Sequence, residues 1–276
     1  MHPGGRYGGR VTDWGDELAR AEERANVQVR SLHDLTDLDD ARRVFDAVWP
    51  AADGSTQVPG NLLRAMVHAG GYASAAYRDG EPIGAALAFV GRHRTEDGWH
   101  EHLHSHMAAV LDEYRDQHIG TALKLHQREW ALEHGIDTIV WTFDPLVRRN
   151  ARVNLIKLGV EVDGFEVDFY GNMDDGINSG DPTDRLFAWW RLGTPRVFAA
   201  LAGRLEPLDP FALEEAGREV LAISVPEDIV ALRAADPAAA AQWRLDVREA
   251  LLDAFADGYR IIGASVTGDY VLERTS

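Results

Sequence analysis

Four histidines stand at alternate positions in the run H-E-H-L-H-S-H: His100, His102, His104 and His106. On a β-strand that spacing turns all four imidazoles to one face. Imidazole has a reference pKa of ~6.5, so such a face can take a proton near neutral pH. H-x-H on a strand is also a ligand pattern for zinc or iron. A metal would need a third ligand, and His93 and Asp168 are of suitable type. The remaining reading is structural or solvated imidazole, which suits His100 and His102 toward the strand's outer end.

The next stretch has chemistry of another kind. In A-A-V-L-D-E-Y-R-D-Q-H-I-G-T-A-L, Ala108 to Leu123, a strand ends, a polar turn follows and a helix opens. The first amides of a helix lack intrahelical partners, and with the helix dipole they favour a phosphate.

The elements that must hold these residues follow from periodicity. Asn26 to Leu32 alternates like a strand. Asp37 is read as the N-cap of a helix carrying Val44, Phe45 and Val48 on its apolar face, and Asn61 to His68 as a second helix. Two strands meet at Asp79-Gly80, a hairpin signal. The histidine run is the next strand, Ile119 to His134 a helix stopped by Gly135, and I-D-T-I-V-W-T-F-D an interior strand. Arg148 to Leu158 is a short helix, Val160 to Tyr170 alternates loosely, and the stretch from Gly171 to Asp184 is a loop. Arg185 to Leu192 is a last strand. The expected fold is α+β: a mixed central sheet with helices on both faces. Residues 1–25 are expected as a flexible glycine-rich tail leading into a short charged helix, 26–192 as the main domain, and 193–276 as a small appended α+β unit.

Composition bounds the rest. Of 276 residues 45% are hydrophobic, enough for a sizeable core. Acidic side chains number 45 against 28 basic, a net charge of -17, which disfavours nucleic acid and anionic membranes as partners. No cysteine is present, so disulfides and a cysteine nucleophile are excluded. No apolar run reaches the roughly 20 residues of a membrane span. The first residues, M-H-P-G-G-R-Y-G-G-R, lack the apolar core of a secretory signal, so a soluble cytoplasmic protein is expected.

The turn resembles the Q/R-x-x-G-x-G/A signature of the GNAT (Gcn5-related) N-acyltransferase superfamily. Arg115 matches its first position and Gly120 its last, while His118 stands where the middle glycine is usual. Downstream, R-N-A-R-V-N-L-I-K-L-G-V (Arg149 to Val160) resembles the superfamily's N-x-x-x-x-x-Y-x-K-L-G-F. The wording W-T-F-D-P-L-x-x-R-N-A, K-L-G and D-F-Y-G-x-M-D-D resembles a bacterial subfamily labelled predicted acyltransferase. Some of its members are associated with N-succinylation of amino acids.

The resemblance implies a GNAT fold over about 26–192 and acetyl-CoA or another acyl-CoA as co-substrate, with no metal. Backbone groups of Ala108, Ala109 and Val110 would pair with the pantetheine arm. Turn groups of Arg115, Asp116, Gln117, His118, Ile119, Gly120 and Thr121 would cradle the pyrophosphate. Asn150 would be a second cofactor contact or a plain helix cap. The usual base position falls at His104, and the H-x-H of related arylalkylamine acetyltransferases matches His104 and His106. The tyrosine that commonly serves as acid is replaced by Leu155, leaving Tyr170 as a substitute. Arg185, Arg244 and Arg248 could grip a substrate carboxylate or form ordinary ion pairs. Trp141, Trp189 and Trp190 suit a core or interface. The expected acceptor is a small-molecule amine or amino acid, with homodimer formation open. Succinyl transfer, a CoA-binding sensor without turnover, and a metalloenzyme on the histidine strand stay open beside acetyl transfer.

Overall fold

The computed structural model describes residues 12–51, 53–171 and 182–275. It divides into two compact units, one running to Ile139 and the other beginning at Val140.

The first unit contains α1 (Thr12–Ala25), β1 (Gln28–Ser31), α2 (Leu35–Val48), α3 (Gly60–His68), β2 (Tyr72–Arg78), β3 (Glu81–Thr95), β4 (Gly98–Val110) and α4 (Ile119–Glu133). Its strands pair antiparallel in the order β1-β2-β3-β4. Side-chain parity separates the two faces. Ala73, Ala75, Ala85, Leu87 and Ala109 join a core with Leu38, Ala41, Val44 and Phe45 of α2 and Leu63 of α3. The opposite face meets α4: Tyr72 reaches His126, and a Cβ on Gly84 would touch Ile119 and Leu123. The sheet thus carries helices on both faces, as the sequence predicts.

Two local expectations are refined. The helix expected to follow the tail begins at Thr12, and α1 has a partner in α4. Leu18 and Ala25 are buried there, and Glu17 pairs with buried Arg128 at 2.9 Å. Residues 1–11 lie outside the described residues. Helix α2 starts one turn earlier than predicted: Asp34, not Asp37, is the N-cap, accepting from the Thr36 and Asp37 amides at 3.0 Å each. The Asp79-Gly80 turn is as expected. Both residues have positive φ, 52° and 87°, the type I′ geometry that matches strand twist.

Strands β3 and β4 form a long hairpin with one irregularity. Leu87 faces Met107 while Ala88 faces Ser105, so His106 is an extra residue, a β-bulge. Beyond it His104 lies opposite Phe89, His102 opposite Gly91 and His100 opposite His93.

The second unit takes most of β5 (Thr138–Phe143). It continues with α5 (Arg148–Arg152), a π-type turn over Val153–Lys157, β6 (Glu161–Glu166) and β7 (Arg185–Arg191). Then come α6 (Pro195–Leu201), α7 (Pro210–Glu215), β8 (Val220–Ile223), α8 (Ile229–Ala235), α9 (Pro237–Ala256), β9 (Tyr259–Ala264) and β10 (Tyr270–Arg274). Strands run β5-β7-β6 in one sheet and β8-β10-β9 in a smaller antiparallel one. Among the described residues the region after Gly193 holds four helices and three strands, and Asp236, between α8 and α9, caps α9. Trp141 and Trp190 are core, meeting edge to face at 6.1 Å.

Buried ion pairs hold this unit. Arg244 binds Asp144 through two bonds of 2.8 Å, and Arg233 adds a third at 2.8 Å. Burial alone would raise the Asp144 carboxyl, but Arg244 and Arg233 outweigh it and hold it down at about 2. Arg248 grips Asp184 at 2.8 and 2.9 Å. Of the two sequence readings for Arg244 and Arg248, the structure selects ion pairing. Among the described residues no helix is long and apolar enough to cross a membrane.

Candidate active site

The histidines of β4 make a wall, as their alternation predicts, though the bulge sets its form. His102 and His104 ring centres are 6.4 Å apart, and those of His104 and His106 6.2 Å. Phe89 lies beside both His104 and His106, at 4.9 and 5.8 Å. His93 extends the row outward, 5.3 Å from His102 and 5.8 Å from His100.

His102 is not a solvated bystander. It is buried, and its Nδ1 lies 3.2 Å from Nδ1 of His93. Gly91 makes room for it: a Cβ there would stand 2.6 Å from His102 Nε2. A glycine inside a strand weakens it and marks a close approach. That glycine was the sequence signal for a fixed His102.

Burial lowers three of these rings, His102, His104 and His106. Burial pushes His104 down to about 4, helped by the charges of His106, His102 and Lys124. Burial also lowers His102, with His93 adding to it. His106 is exposed at its edge, yet surrounding atoms displace enough water to lower it too. Neutral imidazoles can accept protons. They can also bind metals, but among the described residues no three suitable side chains converge as a ligand group. Asp168 is engaged elsewhere, accepting from the Thr183 amide at 3.0 Å.

The other face of β4 carries a group that periodicity alone does not reveal. Lys124 of α4 donates to Ser105 Oγ at 2.8 Å and to Gln127 Oε1 at 3.4 Å. Enclosure of its ammonium lowers its pKa to about 7.

Strand β4 runs from the histidines to the turn. The Leu111 amide donates to the Ile83 carbonyl, so by antiparallel alternation Ala109 also points its backbone groups at β3. Ala108 and Val110 point theirs away from β3. The chain then makes a 3₁₀ turn, Asp112–Tyr114, and two residues with positive φ, Asp116 at 62° and His118 at 64°. His118 is where the GNAT signature has its middle glycine, and its left-handed backbone explains that glycine. A side chain there costs roughly 1–2 kcal/mol.

The turn opens α4 with donors to spare. Among the described residues the amides of Gln117, His118, Ile119 and Gly120 reach no acceptor. The Thr121 amide, expected in the cradle, instead donates to the His118 carbonyl at 3.0 Å. In front of Gly120 is open space: a Cβ there would meet nothing within 4 Å. Gln117 is anchored by Arg78 at 2.7 Å. Arg115 pairs with Asp112 at 2.5 Å in an exposed position, where an ion pair contributes little. Unpaired amides at the start of a helix, beside open space at Gly120, are the kind of donors that bind phosphate.

Other predicted residues fall in the second unit. Asn150 lies in the first turn of α5, its amide donating to the Val147 carbonyl at 2.9 Å. Leu155 is fully buried in the π-type turn. Tyr170 lies 3.0 Å from Thr142 Oγ1 through its hydroxyl.

Residues 37–159 match a family model described as the acetyltransferase (GNAT) family. No curated protein matches the chain. Several solved structures are similar at low identity. One is an acetyltransferase of the GNAT family from Streptococcus pneumoniae: 15% identity, TM-score 0.44, covering 59% of this chain and 98% of that one. Another is the ribosomal-protein-S18-alanine N-acetyltransferase from Escherichia coli: 16% identity, TM-score 0.45, covering 61% and 95%. A third is a GNAT family acetyltransferase from Elizabethkingia anophelis with acetyl-CoA bound: 15% identity, TM-score 0.45, covering 60% and 99%.

Proposed function

We propose, from the match of residues 37–159 to the GNAT acetyltransferase family model, that the protein is an acyl-CoA-dependent N-acyltransferase. Acetyl-CoA is the donor and a primary amine on a small molecule or amino acid is the acceptor. The observation that carries the reading is one continuous stretch. Neutral imidazoles at 104 and 106 lead through β4 into amides at Gln117–Gly120 that reach no acceptor among the described residues.

The amides supply what a chain of net charge -17 otherwise lacks, fixed positive dipoles for a polyanion. Ala108 and Val110 offer outward backbone groups for the pantetheine amides and a donor for the developing oxyanion. The acyl-CoA supplies a thioester carbonyl open to attack.

His104, or His106 beside it, accepts the amine proton. With His104 at about 4, removing a proton from a free alkylammonium of pKa ~10.4 is uphill by roughly 9 kcal/mol. The ring therefore acts on an amine that arrives neutral, as its N–H turns acidic on attack. The N–C bond forms, the C–S bond breaks, and the sulfur leaves as thiolate. Expelling a thiolate of pKa ~8.5 at neutral pH costs only about 2 kcal/mol, so Leu155 in place of a tyrosine does not forbid turnover.

The test is thiol release from a panel of acyl-CoA esters crossed with a panel of amines. Amine-dependent release supports transfer. CoA binding with no release from any pair would replace it with a sensing module.

A further inference from the structure

The arginines buried in the second unit are not alike. Arg244 and Arg233 share Asp144, and Arg248 holds Asp184. Arg185, at the head of β7, is only 8% exposed. Its one hydrogen bond runs from NH1 to the Asp184 carbonyl, 3.0 Å. No ion pair engages it among the described residues. Asp144 is near enough for its charge to act on Arg185, but both its oxygens already accept from Arg244 and Arg233.

A guanidinium has five donors and a large cost of leaving water. One hydrogen bond does not offset that cost. A ring offsets part of it: the Arg185 guanidinium lies 5.3 Å from the centre of Tyr170. Tyr170 is itself held in place. Its amide donates to Thr183 Oγ1 at 2.9 Å, and its hydroxyl meets Thr142 at 3.0 Å. The segment before it is tied down by Asp168, whose amide donates to Asp184 Oδ1 at 3.0 Å. A platform is thus built under a cation that makes no ion pair among the described residues.

We infer that Arg185, backed by Tyr170, is the receptor for a carboxylate carried by a small-molecule ligand. The match is geometric as well as electrical, since the fork of a guanidinium takes both oxygens of a carboxylate at once. The site lies within the second unit and goes beyond the acyltransfer reading without resting on it.

Two measurements on the full chain decide it. The first is thermal unfolding with succinate, glutamate or inorganic phosphate added. Either carboxylate should raise the wild-type midpoint, Arg185→Met should lose the shift, and Arg185→Lys should keep part of it. Without ligand, Arg185→Met should unfold no earlier than wild type, whereas Arg244→Met should unfold earlier. No carboxylate shift, an equal shift in Arg185→Met, a larger response to phosphate, or early unfolding of Arg185→Met would each overturn the site.

The second is isothermal titration of succinate and of glutamate. Arg185→Met should weaken the binding of at least one of them by about tenfold or more, and equal affinities in the two proteins would overturn the site.

Discussion

His93 and His102 face each other through their Nδ1 atoms at 3.2 Å, so one ring donates and the other accepts. The bond survives only while one Nδ1 lacks a proton. Acid should therefore act on this hairpin first. His104 and His126 are held down to about 4, and His102 and His106 are lowered as well, with burial the leading cause in each.

The sign follows from proton counts. Between pH ~6.5 and about 4 the unfolded chain binds protons that these folded rings refuse. Stability should be full above the unfolded value and fall as pH drops toward the folded one. The slope is at most about 1.4 kcal/mol per pH unit for each histidine, less for exposed His106. Denaturant midpoints across that range measure it. A flat profile would show the rings to be ordinary solvated imidazoles.

Exchange of His104 for Ala should lower kcat/KM by about 10²-fold or more if it is the base. The wild-type pH profile should show no acid limb from this ring at its reference value of ~6.5, because burial moves it to about 4. An acid limb at neutral pH that survives in His104→Ala belongs to another group.

Lys124 makes the opposite window. Its folded pKa of about 7 lies below the unfolded value of ~10.4. Between those values the unfolded chain again holds the extra proton, so stability should rise with pH. Lys124→Met should abolish that rise and be more stable than wild type at neutral pH. Calorimetry at neutral and alkaline pH distinguishes the two proteins.

His118 tests the turn. With φ at 64°, His118→Gly relieves left-handed strain and should be neutral or stabilising by up to about 1 kcal/mol. His118→Val places a β-branched residue there and should destabilise. Unfolding midpoints read the stability, and CoA titration reads whether the cradle tightens when the side chain goes.

Much of the scaffold was legible from sequence. Asp79-Gly80 announced its hairpin, and Gly135 marked the end of α4. These signals are local, because positive φ leaves few residue choices. The GNAT resemblance likewise rested on a short turn whose backbone dictates its residues. What was not legible depends on partners distant in sequence. Helix α1 follows a glycine-rich start and needs α4 to bury Leu18. The environment of Lys124 needs Ser105 across a sheet, and the Arg185 deficit appears only once Asp144 and Asp184 are assigned to other arginines. That His102 is fixed rather than solvated was not legible, because nothing in the run H-x-H-x-H-x-H says that Gly91 lies beside its second member.

The bulge at His106 divides β4 into two mechanical parts. Register alone shows this: with His106 removed, Met107 would still face Leu87 and Ser105 would still face Ala88. A one-residue slip that absorbed the bulge instead would carry His100, His102 and His104 through the sheet to the side of Lys124. The histidine wall and the backbone stretch that leads to the turn are contiguous in sequence but phased independently. The histidine half of this strand can therefore be rebuilt, residue by residue, without disturbing the half that leads to the turn.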